Sequence, residues 1–113
     1  MKKWVKVEVD VPEKDFIMEV RANHKELCLI RNEGILYAIG NICPHAGGIL
    51  SDGWCSHGNV VCPVHRYQYS LTTGRGAEGQ GDYIYTYPVE QREDGVFVQI
   101  KPSWWRRLFS RKG

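Results

Sequence analysis

Apolar and polar residues alternate along most of this chain, and the period is that of strands. Trp4-Val5-Lys6-Val7-Glu8-Val9 sets Val5, Val7 and Val9 on one face. Pro12-Glu13-Lys14-Asp15 breaks the run before Phe16 to Val20 resumes it. Asn23-His24 and Asn32-Glu33-Gly34 are turn signals on either side of Glu26 to Arg31, and the second leads into Ile35 to Ile39. Later come Asn59 to Cys62, Arg66 to Ser70, and a hairpin of Tyr83 to Arg92 with Val96 to Ile100 across Glu93-Asp94-Gly95. Short strand-like runs between turn signals predict an all-β sandwich or barrel. No segment has a convincing helical period, and no internal repeat is visible.

Length and charge sharpen this picture. The chain has 113 residues, one domain's worth, with 42% apolar and 25% charged residues. Such a chain buries roughly 65% of its unfolded surface, enough for one modest core but not for two lobes around a cleft. The longest apolar run, Ile35 to Ile39, has five residues, against the ~20 needed to span a membrane. The start lacks the apolar stretch of a secretory signal. Residues 1–100 hold ten Lys/Arg and thirteen Asp/Glu, so that part is −3; residues 101–113 hold five Lys/Arg and no acid, so the tail is +5. A domain over 1–100 followed by a basic aromatic tail is therefore expected. The tail's Trp104-Trp105-Arg106-Arg107 suits packing back on the domain or docking to a partner or membrane surface. Nothing else forms a basic stripe, so nucleic acid is not an expected partner.

Two stretches, Asn41 to Asn59 and Thr72 to Asp82, interrupt the alternation and read as long loops. Gly74-Arg75-Gly76-Ala77-Glu78-Gly79 matches a dinucleotide fingerprint, but a strand rather than a helix follows it, so it reads as a turn-forming loop. More informative are Cys43-Pro44-His45 and, after sixteen intervening residues, Cys62-Pro63-Val64-His65. Two thiols and two imidazoles could hold a tetrahedral zinc. Finger-type zinc sites, however, pair Cys with Cys and His with His, the latter on a helix. Here each short loop carries one of each, which suits a two-iron centre with thiolates on one iron and imidazoles on the other. Cys55-Ser56-His57 offers a competing first pair, but only four residues separate His57 from Cys62 and no proline follows Cys55. Cys43/His45 is preferred, with Cys55 and His57 as bystanders in the loop. Cys28, between Leu27 and Leu29, reads as an inert packed thiol, and His24 as a solvated turn residue.

With these motifs the chain resembles the Rieske iron–sulfur family over roughly residues 4–100. That resemblance implies a small β-sandwich or barrel with a cluster-binding subdomain at one tip, here within about residues 41–70. It implies one [2Fe-2S] cluster held by Cys43, His45, Cys62 and His65, the cysteines on the buried iron and the histidines on the outer one. It also implies a one-electron carrier rather than an enzyme. The expected partners are a flavin reductase and a terminal oxygenase. The alternative is a small subunit of a larger oxidoreductase such as NAD(P)H nitrite reductase, docked on its large subunit. Four cysteines without a disulfide framework, and no secretion signal, point to the cytoplasm.

High-potential relatives carry a disulfide between the two cluster loops, where this chain has Gly48, or a neighbour, and Val64. They also use a serine two residues after the second histidine, where Tyr67 stands here; Tyr69 matches the tyrosine that bonds a ligand sulfur. Fewer hydrogen bonds to sulfur leave the reduced state less stabilised. A redox titration is expected to give a midpoint near about −150 mV rather than +300 mV, the two ends of the range for such centres. A strongly positive midpoint would overturn this.

Overall fold

The computed structural model describes residues 3–45 and 47–100. The basic aromatic tail, and with it the boundary placed at residue 101, lies outside the described residues. The described chain is built from strands in three antiparallel sheets, with one 3-10 turn at Leu50–Asp52. The first sheet orders β1 (Lys3–Lys6), β10 (Gly95–Ile100) and β9 (Val89–Arg92) as β1-β10-β9. The second joins β2 (Phe16–Ala22), β3 (Lys25–Asn32), β4 (Ile35–Gly40) and β8 (Thr86–Tyr87) in that order. The third, smaller sheet is a meander of β5 (Trp54–Ser56), β6 (Asn59–Val61) and β7 (Gln68–Ser70). This is the expected all-β architecture with a small subdomain.

Turn chemistry fixes the registers. Asn23 and His24 have φ of 52° and 70°, and Glu33 and Gly34 have 54° and 81°. Two successive positive φ values give the two-residue hairpin turns whose twist matches the flanking strands. Ala22 then pairs with Lys25 and Asn32 with Ile35. Asp15 braces the second turn by accepting from the Glu33 and Gly34 amides at 2.8 and 3.1 Å.

Strand β3 is the wall between two cores. Leu27 and Leu29 point into one, with Val20, Ala22 and Ala38 beside them and Val96, Val98 and Ile100 from the first sheet. Cys28 and Ile30 point into the other, with Ile39, Leu50, Val60, Cys62 and Tyr69. That two-sided burial explains why the strand reads as a continuous apolar run rather than an alternating one. Each fully buried aliphatic side chain here contributes about 2 kcal/mol.

Three expectations are corrected. The first strand ends at Lys6, because the chain then changes sheets: the Val7 amide still bonds Val96 O at 2.8 Å, but the Glu8 amide bonds Arg21 O at 3.0 Å. The run from Tyr83 to Arg92 is not one strand. Pro88 has no N–H to donate, and there the chain leaves β8 in the second sheet for β9 in the first. Finally, Asn41 to Asn59 is not all loop, since it contains β5, joined to β6 by a tight turn with His57 and Gly58 at φ of 51° and 81°.

The Thr72 to Asp82 segment folds back over β7, with bridges Tyr69 to Gly76 and Arg75 to Tyr83. Gly74 is obligatory there: φ is 81°, and a Cβ would lie 2.2 Å from Ile84 O. Gly58 has the same φ but open space around it. Gly58→Ala is thus expected to cost about 1 kcal/mol, the left-handed penalty alone, and Gly74→Ala distinctly more. Thermal unfolding should show Tm falling by at least about 4 °C per kcal/mol. Equal losses for the two variants would contradict the Ile84 contact.

Candidate metal centre

Two loops present the candidate ligands, and they share one hydrogen-bonding frame. In the first, between β4 and the 3-10 turn, the Cys43 amide donates to Gly48 O and the Gly47 amide to Cys43 O, both at 2.8 Å. In the second, between β6 and β7, the Cys62 amide donates to Tyr67 O and the Arg66 amide to Cys62 O, again both at 2.8 Å. Each frame therefore closes from the cysteine to the residues four and five positions on. Each needs a left-handed residue at the fourth, Gly47 at φ 74° and Arg66 at φ 60°. A proline with fixed φ follows each cysteine. The histidines differ by one step on this common frame, second after Cys43 but third after Cys62.

The frame sorts the four side chains by depth. Cys43 and Cys62 are each 1% exposed and belong to the inner core. His45 and His65 are exposed, their ring centroids 5.4 Å apart and their planes at 72°. Burial pushes the Cys62 thiol up, while the Val64 and His65 amides that hydrogen-bond its sulfur pull the other way; the Cys43 thiol bonds it as well. The loops touch at Gly48, where a Cβ would lie 2.5 Å from Val64 Cγ2 and 2.9 Å from Cys62 Sγ. Gly48 and Val64, near where the resemblance to high-potential relatives puts a loop-to-loop disulfide, thus meet as a glycine–valine contact.

Among the described residues no three His, Cys, Asp or Glu side chains converge as a single metal ion requires. The two sulfurs lie inside and the two imidazoles outside, an arrangement that suits a two-iron group with its ligand pairs on different metals. Amides aimed at a buried sulfur also favour its anionic, metal-ligating form.

The Rieske [2Fe-2S] domain family matches residues 2–88. The chain belongs to this family. Among its relatives is the ferredoxin component of the naphthalene 1,2-dioxygenase/salicylate 5-hydroxylase systems of a Ralstonia species, 35% identical over 93 residues, covering 81% of this chain and 88% of the relative. Among solved structures, the complex of reduced oxygenase and oxidised ferredoxin in carbazole 1,9a-dioxygenase contains a chain matching with TM-score 0.69 and 27% identity, over 84% of this chain and 91% of that one. A putative NADH-dependent nitrite reductase small subunit from Mycobacterium tuberculosis shares the fold, with TM-score 0.69 and 19% identity over 90% and 98% of the two chains. Membership of the Rieske family brings with it an iron–sulfur cluster.

Two tyrosines of β7 and its approach serve the site. The Tyr67 ring stacks on His45, centroids 3.9 Å apart and planes within 9°, and so fixes the imidazole plane. The fully buried Tyr69 hydroxyl lies 3.4 Å from Cys43 Sγ, where the Rieske resemblance places a tyrosine. It also donates to Asp82 Oδ2 at 3.0 Å. Neither the His45 stack nor Asp82 was apparent from the sequence. The sequence marks Tyr67 only as standing where high-potential relatives carry a serine, and Asp82 lies thirteen positions beyond its partner in a glycine-rich segment with no periodic signal.

The competing pair goes elsewhere. Cys55 lies in β5 opposite Val60, and His57 occupies the β5–β6 turn with Nδ1 2.9 Å from Ser56 Oγ. Cys28 is fully buried and remains a thiol. His24 is exposed in its turn. Burial, with Cys55 and Glu19 adding, pushes Cys28 up from 9.0 to about 12. A raised thiol pKa keeps the folded group neutral after the unfolded one has ionised. Its contribution is therefore complete below pH 9 and is lost as pH climbs toward 12, by up to about 4 kcal/mol at ~1.4 per unit. Urea midpoints of the wild type should fall more steeply above pH 9 than those of Cys28→Ala. Parallel profiles would contradict the burial of this thiol.

Proposed function

We propose that this chain is the ferredoxin component of an oxygenase system, taking single electrons from a flavin reductase and delivering them to the terminal oxygenase. The observation that carries the reading is the depth sorting on the two matched loops, with sulfurs in the core and imidazoles at the surface. Cys43 and Cys62 hold the inner iron of a [2Fe-2S] cluster and His45 and His65 the outer one. When bound, such a centre supplies reversible one-electron chemistry. The domain is residues 1–100, with the cluster loops within about 41–70 and residues 101–113 as an appended docking tail.

The chain's own residues do the remaining work. Val64 and His65 amides stabilise the Cys62 thiolate, and Tyr67 holds the His45 ring. Exposed Ile42 and Val64, 57% and 50% accessible, stand beside the ligand loops and offer an apolar rim for docking. Such a rim suits a transient partner that must approach the histidines closely. No helix among the described residues is long and apolar enough to cross a membrane, and Cys28 and Cys55 persist as thiols. A reducing cytoplasm is the compartment this suits. The similarity to ferredoxin components of oxygenase systems, over most of both chains, supports the assignment.

Replacing Cys43, His45, Cys62 or His65 with alanine is expected to abolish the visible absorption and acid-labile sulfide or to change the EPR signal of the reduced protein. Cys55→Ser should leave both intact. Bleaching by Cys55→Ser, or a colourless wild type holding one zinc, would refute the ligand set. For the function, a pull-down with and without residues 101–113 should capture a flavin reductase or an oxygenase subunit. Capture of a sirohaem-containing subunit would replace the ferredoxin reading with that of a nitrite reductase small subunit.

A further inference from the structure

Tyr69 has one hydroxyl proton and two acceptors within reach. Cys43 Sγ lies 3.4 Å from its oxygen, and Asp82 Oδ2 lies 3.0 Å away. A sulfur that ligates iron can only accept, so the two compete for the same proton. Sulfur is the weaker acceptor. A carboxylate forms charge-assisted hydrogen bonds roughly twice as strong as neutral ones. The proton therefore points at Asp82.

Asp82 is held in place by a frame that belongs to the same subdomain. Gln80 Nε2 donates to Asp82 Oδ1 at 3.3 Å and to Gln68 O at 3.1 Å, while its Oε1 accepts from the Gln68 amide at 2.9 Å. Gln80 is thus clamped to the strand residue next to Tyr69. The Gly76 amide bonds Asp82 O at 2.9 Å, and a Cβ on Gly76 would lie 2.8 Å from Asp82 Oδ1. The Tyr69 to Gly76 bridge lays this whole segment against the tyrosine. Asp82 is half-buried, so its bond to the hydroxyl is only partly exposed to competition from water.

We propose that Asp82 is a positioning residue that lowers the reduction potential of the cluster by holding the Tyr69 proton away from Cys43 Sγ. This rests on the reading above that Cys43 is a ligand. One electron entering the cluster adds negative charge to its sulfurs, and a donor to sulfur favours that reduced form. Turning the donor to a carboxylate withdraws the preference. The low potential expected of this chain would then have two causes: a missing serine, and a tyrosine that is present but turned away.

The experiment is a double-mutant cycle on the cluster-loaded protein, read as midpoint potential. A carboxylate acting only through its charge would shift the potential by the same amount whether or not Tyr69 is present. Asp82→Ala should shift the midpoint positive. Tyr69→Phe should change it little in the wild type but move it clearly negative in the Asp82→Ala background. Asp82→Leu, close to Asp in shape but without an acceptor, serves the same cycle if the alanine variant fails to load. Pulsed EPR of the reduced protein gives a second readout. An exchangeable proton coupled to the cluster should appear in Asp82→Ala and vanish in Asp82→Ala/Tyr69→Phe. Equal Tyr69→Phe shifts in both backgrounds, or an unchanged midpoint in Asp82→Ala, would overturn the proposal. The ligand reading fails separately, by a Cys43→Ser variant that keeps the wild-type spectrum.

Discussion

Two cysteine sulfurs lie in an apolar core, one of them met by backbone amides, and the rest of the subdomain is arranged around that constraint. Cys43 and Cys62 share a cluster with Ile30, Ile39, Leu50 and Val60, surroundings that oppose a bare thiolate. The compensation comes from backbone amides, those of Val64 and His65 at Cys62. Amides can converge on a sulfur only if the chain doubles back tightly after the cysteine. Each loop does so with the same pair of 2.8 Å bonds and the same left-handed fourth residue. Glycine takes that conformation freely at 47. Arginine takes it at 66 against a penalty of about 1–2 kcal/mol, which the two flanking bonds offset.

The scaffold meets this constraint by making β3 a shared wall. Its odd residues Leu27 and Leu29 anchor the sandwich of the first two sheets, and its even residues Cys28 and Ile30 support the subdomain that carries the loops. Arg31, at the far end of the strand and 8% exposed, bonds Pro12 O and Gln91 Oε1 at 3.2 and 3.3 Å and ties the sandwich's outer segments to the same wall. The two cysteine loops thus rest on the most buried of the described strands and not on a surface appendage.

Much of this was legible beforehand, and the failures have physical causes. The hairpin turns were readable because Asn-His and Glu-Gly tolerate positive φ. The four candidate ligands stood out because each pair is compact in sequence and each cysteine precedes a proline. Strand β5 was hidden: Trp54-Cys55-Ser56 is too short for a period to register, and only pairing with β6 makes it a strand. The break at Pro88 was hidden because Tyr83 to Arg92 keeps its β-favouring composition while the chain changes sheets. The neighbours of the ligands, Tyr67 on His45 and Asp82 on Tyr69, are tertiary contacts between segments whose own patterns carry no trace of one another. Their roles belong to packing, which single-sequence periodicity does not encode.

The duplicated loop frame has a kinetic consequence. A carrier that exchanges electrons during brief encounters is slowed by any nuclear rearrangement that must accompany the transfer. Here both loops are closed by short backbone bonds, wedged together at Gly48 and Val64, and capped by a ring stacked flat on His45. Dipoles already fixed in place need not turn when charge arrives. Loops braced in this way are a frame in which a change of charge asks for little rearrangement of the backbone around the two cysteines.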